Sequence, residues 1–173
     1  MAMAKPKGKF GVRLLIDDAT YKAIGLVAAH WAFLEIEFDN FLNQLVIHPA
    51  ATPLGIRPVP QSFAKRVELF KKCAEVILVD QPKLKDELIK IINDASSARG
   101  YRDDIIHGQW RLGRKKGNIG TAVTVFKSRP KIKVDTKNMS SNQIESVAVQ
   151  ISKISARLIW WMEMNVSFSS EHE

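Results

Sequence analysis

The apolar residues between Tyr21 and His48 recur at intervals of three and four, and this periodicity constrains the fold more than any other feature of the chain. Such spacing places apolar side chains along one face of an α-helix. A face of this length must be buried against other elements of the protein. We therefore predict a long amphipathic helix from Tyr21 to His48, whose buried face consists of Ile24, Val27, Ala28, Trp31, Leu34, Phe38, Phe41, Leu42 and Leu45.

Two further segments before residue 109 show the same helical period. A run of prolines after His48 ends the first helix, and a second helix is predicted from about Ser62 to Val79. We expect Asp80 to cap a third helix, with Pro82 in its first turn and Gly108 as its C-terminal stop. Short connections between long amphipathic helices favour an antiparallel bundle.

After the third helix the pattern changes to alternation, which is typical of β-strands. Thr121–Phe126 and Lys131–Asp135 alternate in this way, and Ser128, Arg129 and Pro130 lie between them. We therefore predict a β-hairpin that turns at these three residues.

A last long helix is predicted after the hairpin. Ser140 or Ser141 provides a hydroxyl for the N-cap, and Gln143 or Glu145 is placed to reach back toward that cap. Apolar residues at helical spacing continue as far as Trp161. The predicted fold is mainly α: an antiparallel helical bundle with an inserted basic β-hairpin before the last long helix.

The net charge of +8 is concentrated in one segment. Between Arg111 and Lys137 there are nine basic residues and one acidic residue, and the other 17 basic and 17 acidic residues of the chain cancel. A surface of one sign attracts polyanions, among which nucleic acid is the commonest in a cell. The alternative is a solvated loop that only aids solubility. If the segment binds RNA, the residues predicted to contact phosphates are Arg111, Arg114, Lys115, Lys116, Arg129 and Lys131.

The sequence gives no sign of a disulfide or a metal site. Cys73 is the one cysteine, which excludes a disulfide within one chain, and its helical apolar surroundings predict a buried thiol. His30 and His48 have no partner ligands at metal spacing. We predict neither a metal nor a cofactor.

The first 18 residues are basic but do not resemble a signal peptide, because Gly8, Lys9 and Arg13 interrupt the apolar run that such a peptide needs. No segment has the roughly 18 to 20 apolar residues that cross a bilayer. From this we expect a soluble, cytoplasmic protein with no membrane partner.

The stretch ARGYRDDIIHGQW, residues 98–110, combines charged groups at the end of the third predicted helix. Asp103 and His107 are four residues apart, so the carboxylate can accept the imidazole proton and fix the tautomer. Arg102 lies about 140° round the helix from His107, yet its long side chain can reach the same opening. A guanidinium that binds phosphate beside an imidazole that moves a proton suits phosphodiester cleavage. The alternative is an ordinary charged helix end, in which Arg99 pairs with Asp103.

Glu35 lies on the apolar stripe of the first predicted helix, and a buried carboxylate needs a partner. We expect that partner to be Arg99 or Arg102 on the third helix. Glu35 then either holds the catalytic arginine or only pins two helices together, and the structural role is the favoured interpretation.

The sequence R-D-D-I-I-H-G resembles the R-x-x-x-x-H motif of the HEPN superfamily (higher eukaryotes and prokaryotes nucleotide-binding domain). Arg102 matches the arginine, His107 the histidine, and Asp103 the polar residue that commonly follows the arginine. The helical bundle of that family is similar to the pattern predicted from residue 19 to residue 165. We therefore divide the chain into a basic N-terminal arm or short strand over residues 1–18 and a single HEPN-like helical domain over residues 19–173, with the hairpin inserted at about 109–137.

The resemblance implies a metal-independent endoribonuclease that forms a homodimer, with two motifs facing a shared cleft. In such enzymes the ribose 2′-OH attacks the adjacent phosphate and leaves 2′,3′-cyclic phosphate and 5′-OH ends. His107 then acts as general base or acid, Arg102 stabilises the phosphorane, and Asp103 orients the histidine. Several members act as toxins or in defence against phage, which adds an antitoxin or regulatory protein to the expected partners. A subgroup with an AMP-accepting tyrosine two residues after the histidine differs from this chain, which has Gln109 there.

Two other functions remain open at this point. Many superfamily members have lost catalysis, so a non-catalytic RNA-binding or regulatory HEPN-like module fits the same residues. A helical scaffold that binds another protein is the third interpretation, and the basic segment argues against it. The sequence does not separate the first two functions.

Overall fold

The structure is a computed structural model that describes residues 16–55, 59–115, 118–127 and 133–165. For residues 109, 111–115, 118–127 and 133–137 the description covers backbone only. The fold is mainly α and consists of a bundle of four long helices, as predicted. The helices are α1 (Asp18–Ile47), α2 (Phe63–Ile77), α3 (Pro82–His107) and α4 (Ser141–Asn165).

Helix α1 begins at an aspartate cap. The Asp17 carboxylate accepts a hydrogen bond from the backbone N–H of Thr20 at 2.7 Å, which stabilises the first turn and lowers the pKa of Asp17. The helix starts before the predicted Tyr21 because this cap precedes the periodic apolar pattern. A short 3₁₀ helix, Pro49–Leu54, follows α1 and was not predicted; it ends at Gly55, whose φ of 62° lies in the left-handed region.

The two ends of α3 differ from the predicted ends in detail. Gln81, and not Asp80, precedes the helix, and it forms no side-chain cap hydrogen bond, so the predicted Asp80 cap is wrong. Pro82 occupies the first turn, where a missing N–H costs no helical hydrogen bond. The helix ends at His107 as expected, but Gly108 is extended, with φ −73° and ψ 151°. The chain therefore leaves α3 directly in strand geometry and not through a left-handed glycine cap.

Between α3 and α4 the backbone forms a three-stranded antiparallel sheet with strand order β1-β2-β3. The strands are β1 (Gln109–Lys115), β2 (Asn118–Lys127) and β3 (Lys133–Asn138). The prediction of a two-stranded hairpin is corrected, because β1 adds to the other edge of β2. Strand β1 was missed because Gly113 and the basic residues after it break the apolar alternation, whereas strand pairing depends on backbone hydrogen bonds. The predicted turn at residues 128–130 lies outside the described residues.

Helix α4 begins with the predicted capping box. The backbone N–H of Ser140 donates to Gln143 Oε1 at 2.8 Å, and the backbone N–H of Gln143 donates to Ser140 Oγ at 3.3 Å. Helix α4 packs against both α1 and α3, and α2 packs against the same two helices. No helix in the described part of the chain has both the length and the apolar character needed to span a membrane.

An aromatic cluster in the core joins α1 to α2. Trp31 and Phe38 of α1 each pack against Phe63, with ring centroids 5.0 Å apart, and Phe38 also packs against Phe70 at 4.7 Å. Cys73 is buried as predicted, and its burial raises the pKa of the thiol. These aromatic contacts between α1 and α2 thus hold in place the face of α1 against which α3 packs.

Candidate active site

Arg102 and His107 lie in the last two turns of α3, and their side chains meet. One guanidinium nitrogen of Arg102, Nη1, is 3.2 Å from His107 Nε2. The side chain of Arg102 is one quarter exposed, and His107 is exposed. The two groups that the motif pairs therefore share one opening at the surface.

The contact fixes the tautomer of a neutral His107. A guanidinium has donors only, so Nε2 of the imidazole must accept this hydrogen bond. The ring proton then lies on Nδ1. A lone pair on Nε2 is the group that a general base needs, and here it faces Arg102.

Asp103 does not contact His107 in the way that the catalytic interpretation predicted, whereas the Arg99 pair of the alternative interpretation is present. Its Oδ1 accepts a hydrogen bond from Arg102 Nη1 at 2.8 Å, and its Oδ2 lies 3.4 Å from Arg99 Nε. The bond from Arg102 is charge-assisted and is stronger than a bond from a neutral imidazole, and the contact with Arg99 is an ion pair. Asp103 therefore holds Arg102 and Arg99, and it acts on His107 only through Arg102.

Trp31 of α1 supports Arg102 from the core side. The guanidinium carbon of Arg102 is 5.5 Å from the centroid of the Trp31 ring, which is within the range of a cation–π contact. Trp31 is only 3% exposed and packs on Phe63, so it presents a rigid surface. Trp31 was predicted on the apolar face of α1, but its contact with Arg102 was not predicted. The periodic pattern of a helix does not determine how that helix lies against another one.

Glu35 does not contact the predicted arginines. Its Oε1 is 2.9 Å from Nη2 of Arg66 on α2, and the same guanidinium donates to Asp39. The prediction of Arg99 or Arg102 as its partner is wrong. Glu35 and Asp39 are one helical turn apart on α1, so both can face one cation. Glu35 thus joins α1 to α2 and has no direct part in holding Arg102.

Trp110 links the end of α3 to the start of the sheet. Its indole N–H donates to the backbone carbonyl of Ile105 at 2.9 Å, which satisfies one of the carbonyls that a helix end leaves unpaired. This bond fixes the path of the chain directly after His107. The sheet therefore begins at the edge of the candidate site.

The basic residues predicted to contact RNA are not described at the side-chain level. Lys116, Arg129 and Lys131 lie outside the described residues, and Arg111, Arg114 and Lys115 are described as strand backbone only. Their contact with phosphate stays a prediction. Within the described ranges, no group of three or more His, Cys, Asp or Glu residues is arranged to hold a metal ion.

Comparison of the chain with protein-family models, with curated proteins and with solved structures gave no match. The likeness to the HEPN superfamily therefore rests on the R-x-x-x-x-H spacing and on the helical bundle. What it implies about activity belongs to the proposal that follows.

Proposed function

We propose that the protein is a metal-independent endoribonuclease of the HEPN type that uses Arg102 and His107. The observation that carries this proposal is the 3.2 Å contact between Arg102 Nη1 and His107 Nε2 at an exposed helix end. An imidazole beside a guanidinium supplies a proton carrier and a phosphate-binding fork in one opening. The proposed substrate is RNA, because the proposed nucleophile is the ribose 2′-OH, which RNA has and DNA lacks.

The proposed reaction needs one base and one acid. His107 Nε2 takes the proton of the 2′-OH, the 2′ oxygen forms a bond to the adjacent phosphorus, and the bond from phosphorus to the 5′ oxygen breaks. A proton from an acid reaches the departing 5′ oxygen, which leaves 2′,3′-cyclic phosphate and 5′-OH ends. Arg102 turns from Nε2 to the phosphate oxygens as substrate binds, which frees the lone pair of the base and stabilises the phosphorane.

Attraction of phosphate to this position requires more than Arg102. The C-terminal end of a helix carries partial negative charge, which disfavours an anion. Arg99 and Arg102 bring two positive charges to the site, which the two carboxylates of Asp103 and Asp104 balance, and the basic segment between residues 111 and 137 begins next to it. We therefore assign RNA positioning to this segment and the chemistry to α3.

A homodimer completes the proposed site. A single chain offers one imidazole at the motif, whereas the reaction uses a base and an acid. A two-fold axis beside the end of α3 brings His107 of a second copy to the same phosphate. An antitoxin or another regulatory protein stays a proposed further partner, and the biological role as a toxin or in phage defence is proposed with it.

The experiment compares His107→Ala with the wild type on a defined RNA in EDTA. General acid–base catalysis contributes about 100-fold to 10,000-fold, so we expect cleavage to fall by at least about 100-fold. His30→Ala on α1 is the control for loss of an imidazole elsewhere. Circular dichroism checks the fold, and light scattering of the same samples is expected to give about twice the 19.5 kDa chain mass.

Equal cleavage by the wild type and His107→Ala would rule out this assignment. The concentration of the whole net charge of +8 in one segment favours a second function, RNA binding without cleavage. Tight RNA binding by a wild type that leaves the RNA intact would establish that function in place of the nuclease.

A further inference from the structure

A line of contacts along one face of α3 connects Arg99 to His107. Arg99, Asp103 and His107 are spaced four residues apart, so they lie along the same face of the helix. Asp103 Oδ2 is 3.4 Å from Arg99 Nε, and Asp103 Oδ1 accepts a hydrogen bond from Arg102 Nη1 at 2.8 Å. Asp103 therefore holds two guanidinium groups, of which that of Arg102 contacts His107.

Part of the Arg99 guanidinium is available to a ligand. A guanidinium has five N–H donors, and Asp103 contacts Arg99 through Nε. The two Nη groups of Arg99 have no hydrogen-bond partner in the described part of the chain. The side chain is 40% exposed, and Gly100 next to it is exposed as well. A Cβ at Gly100 would meet no described atom within 4 Å, so the surface of α3 is open here.

These donors suit a phosphate group. The two Nη groups of an arginine form a planar fork that binds two phosphate oxygens at once. Asp103 already restrains the Arg99 side chain through Nε, so less rotamer entropy is lost when an anion binds. The carboxylates of Asp103 and Asp104 balance the charges of Arg99 and Arg102, so the directed N–H donors, and not the net charge, select the ligand here.

We propose that Arg99 binds the phosphate next to the one that is cleaved. This inference rests on the proposed function, in which Arg102 and His107 act on the scissile phosphate. Arg99 and Arg102 contact the same carboxylate, at 3.4 and 2.8 Å, so their forks lie close enough together for neighbouring phosphates of one strand. The strand then follows the face of α3 from His107 toward Arg99. The substrate is a polynucleotide, because a dinucleoside monophosphate leaves Arg99 without a phosphate.

The test uses a short oligonucleotide of randomised base sequence in which a single ribose keeps its 2′-OH and all the others are 2′-O-methylated. Only the phosphate after that ribose can be cleaved, so the position of every other phosphate relative to the reaction is known. The phosphate on each side of it, and one near the end of the strand, are replaced in turn by an uncharged methylphosphonate. In the wild type we expect one of the two neighbouring replacements to lower kcat/KM at least about fivefold more than the distant one, the effect of one hydrogen bond between charged groups.

Arg99→Met removes the donors and keeps an unbranched side chain. In this variant we expect the neighbouring and the distant replacement to lower kcat/KM by the same factor, because the neighbouring phosphate has lost its partner. Arg99→Lys keeps the charge without the fork and is expected to restore part of the difference. Arg157→Met is the matched control: Arg157 is 45% exposed and also contacts an aspartate, Asp94, and this variant is expected to keep the wild-type difference.

A purely structural Arg99 gives another result. If Arg99 acts only through Asp103 on Arg102, Arg99→Met lowers the cleavage of all the oligonucleotides by one factor and leaves the difference between the replacements as in the wild type. That result overturns the proposal, as does a wild type that is equally sensitive to neighbouring and distant replacement.

Binding of uncleavable RNA separates this proposal from the nuclease. Fully 2′-O-methylated UpU and UpUpU carry one and two phosphates, and NMR titration measures their affinities for the full chain. We expect the second phosphate to raise the affinity of the wild type about fivefold and that of Arg99→Met by less. This comparison needs no cleavage, so the nuclease assignment can fail while the Arg99 site stands. Equal gains in the two proteins, or no binding of either RNA, would mean that Arg99 holds no phosphate.

Discussion

Asp103 shows how side-chain geometry changes the role that spacing suggests for a residue. Its distance of four residues from His107 predicted a bond to the imidazole. The carboxylate instead contacts Arg102 and Arg99, because fully charged donors lie within reach on the same helix end. The spacing predicted that Arg102 and His107 meet at one opening, and they do at 3.2 Å. It did not predict which of three neighbours the carboxylate would choose, since that choice depends on rotamers.

Asp103→Asn tests this role under the proposed function. Asparagine keeps the shape and removes the charge that holds the Arg102 fork. We expect kcat/KM for RNA to fall several-fold with an unchanged pH profile, because the substitution loosens the fork that stabilises the phosphorane and leaves the imidazole in place. Asp94→Asn removes the same charge from the middle of α3 and is the control. A large fall in kcat together with a changed pH profile would show that Asp103 acts on His107 after all.

Helix contacts illustrate what an element's own pattern can and cannot predict. The period of α1 and the capping box of α4 were read from the sequence, because both depend on residues close together in the chain. The partner of Glu35 was not predicted correctly, because that contact depends on how α2 lies against α1. Strand β1 was missed for a similar reason: its pairing partner β2 defines it more than its own residues do.

Two arginines, Arg66 and Arg157, form ion pairs between helices, and these pairs differ in burial and should differ in strength. Arg66 is 12% exposed and contacts both Glu35 and Asp39, whereas Arg157 of α4 is 45% exposed and contacts Asp94 of α3 at 2.7 Å. We expect Arg66→Met to lower the free energy of unfolding by about 1 to 3 kcal/mol, because it leaves two carboxylates in a half-buried position without their cation. Arg157→Met is the matched surface variant and should cost less than about 1 kcal/mol.

Urea unfolding of the two variants at neutral pH measures this difference. Raising the salt concentration should reduce the loss in Arg157→Met more than the loss in Arg66→Met, since water and ions screen the exposed pair. Equal losses in both variants would mean that Arg66 contributes no more than a surface residue.

At the scale of the whole molecule, charge and chemistry occupy adjacent parts of the chain. The segment that contains the entire net charge starts next to the end of α3, and Trp110 fixes its path there. The sequence predicted both this charge and its position next to the R-x-x-x-x-H motif. If the segment follows an RNA backbone, each neutralised phosphate releases condensed counterions, and binding weakens steeply as salt rises.

The last prediction concerns the variant in which Arg114, Lys115 and Lys116 are all replaced by Ala. On single-stranded RNA each lost phosphate contact flattens the salt slope by about 0.7, so three contacts flatten it by up to about 2. Affinity should fall for many RNA sequences alike, because phosphate contacts carry no sequence information. Turnover at saturating RNA should change less than affinity, since these residues position the substrate and do not enter the chemistry.

The matched control replaces Lys83, Lys85 and Lys90 of α3 by Ala, which removes the same charge at the far end of that helix. Titration of a fluorescent RNA at several salt concentrations gives both slopes. A simple loss of net charge lowers affinity equally in the two variants, whereas a positioned RNA path lowers it only when residues 114–116 change. Unaltered affinity and slope in the first variant would restrict the segment to a role in solubility and leave the assignment of Arg102 and His107 intact.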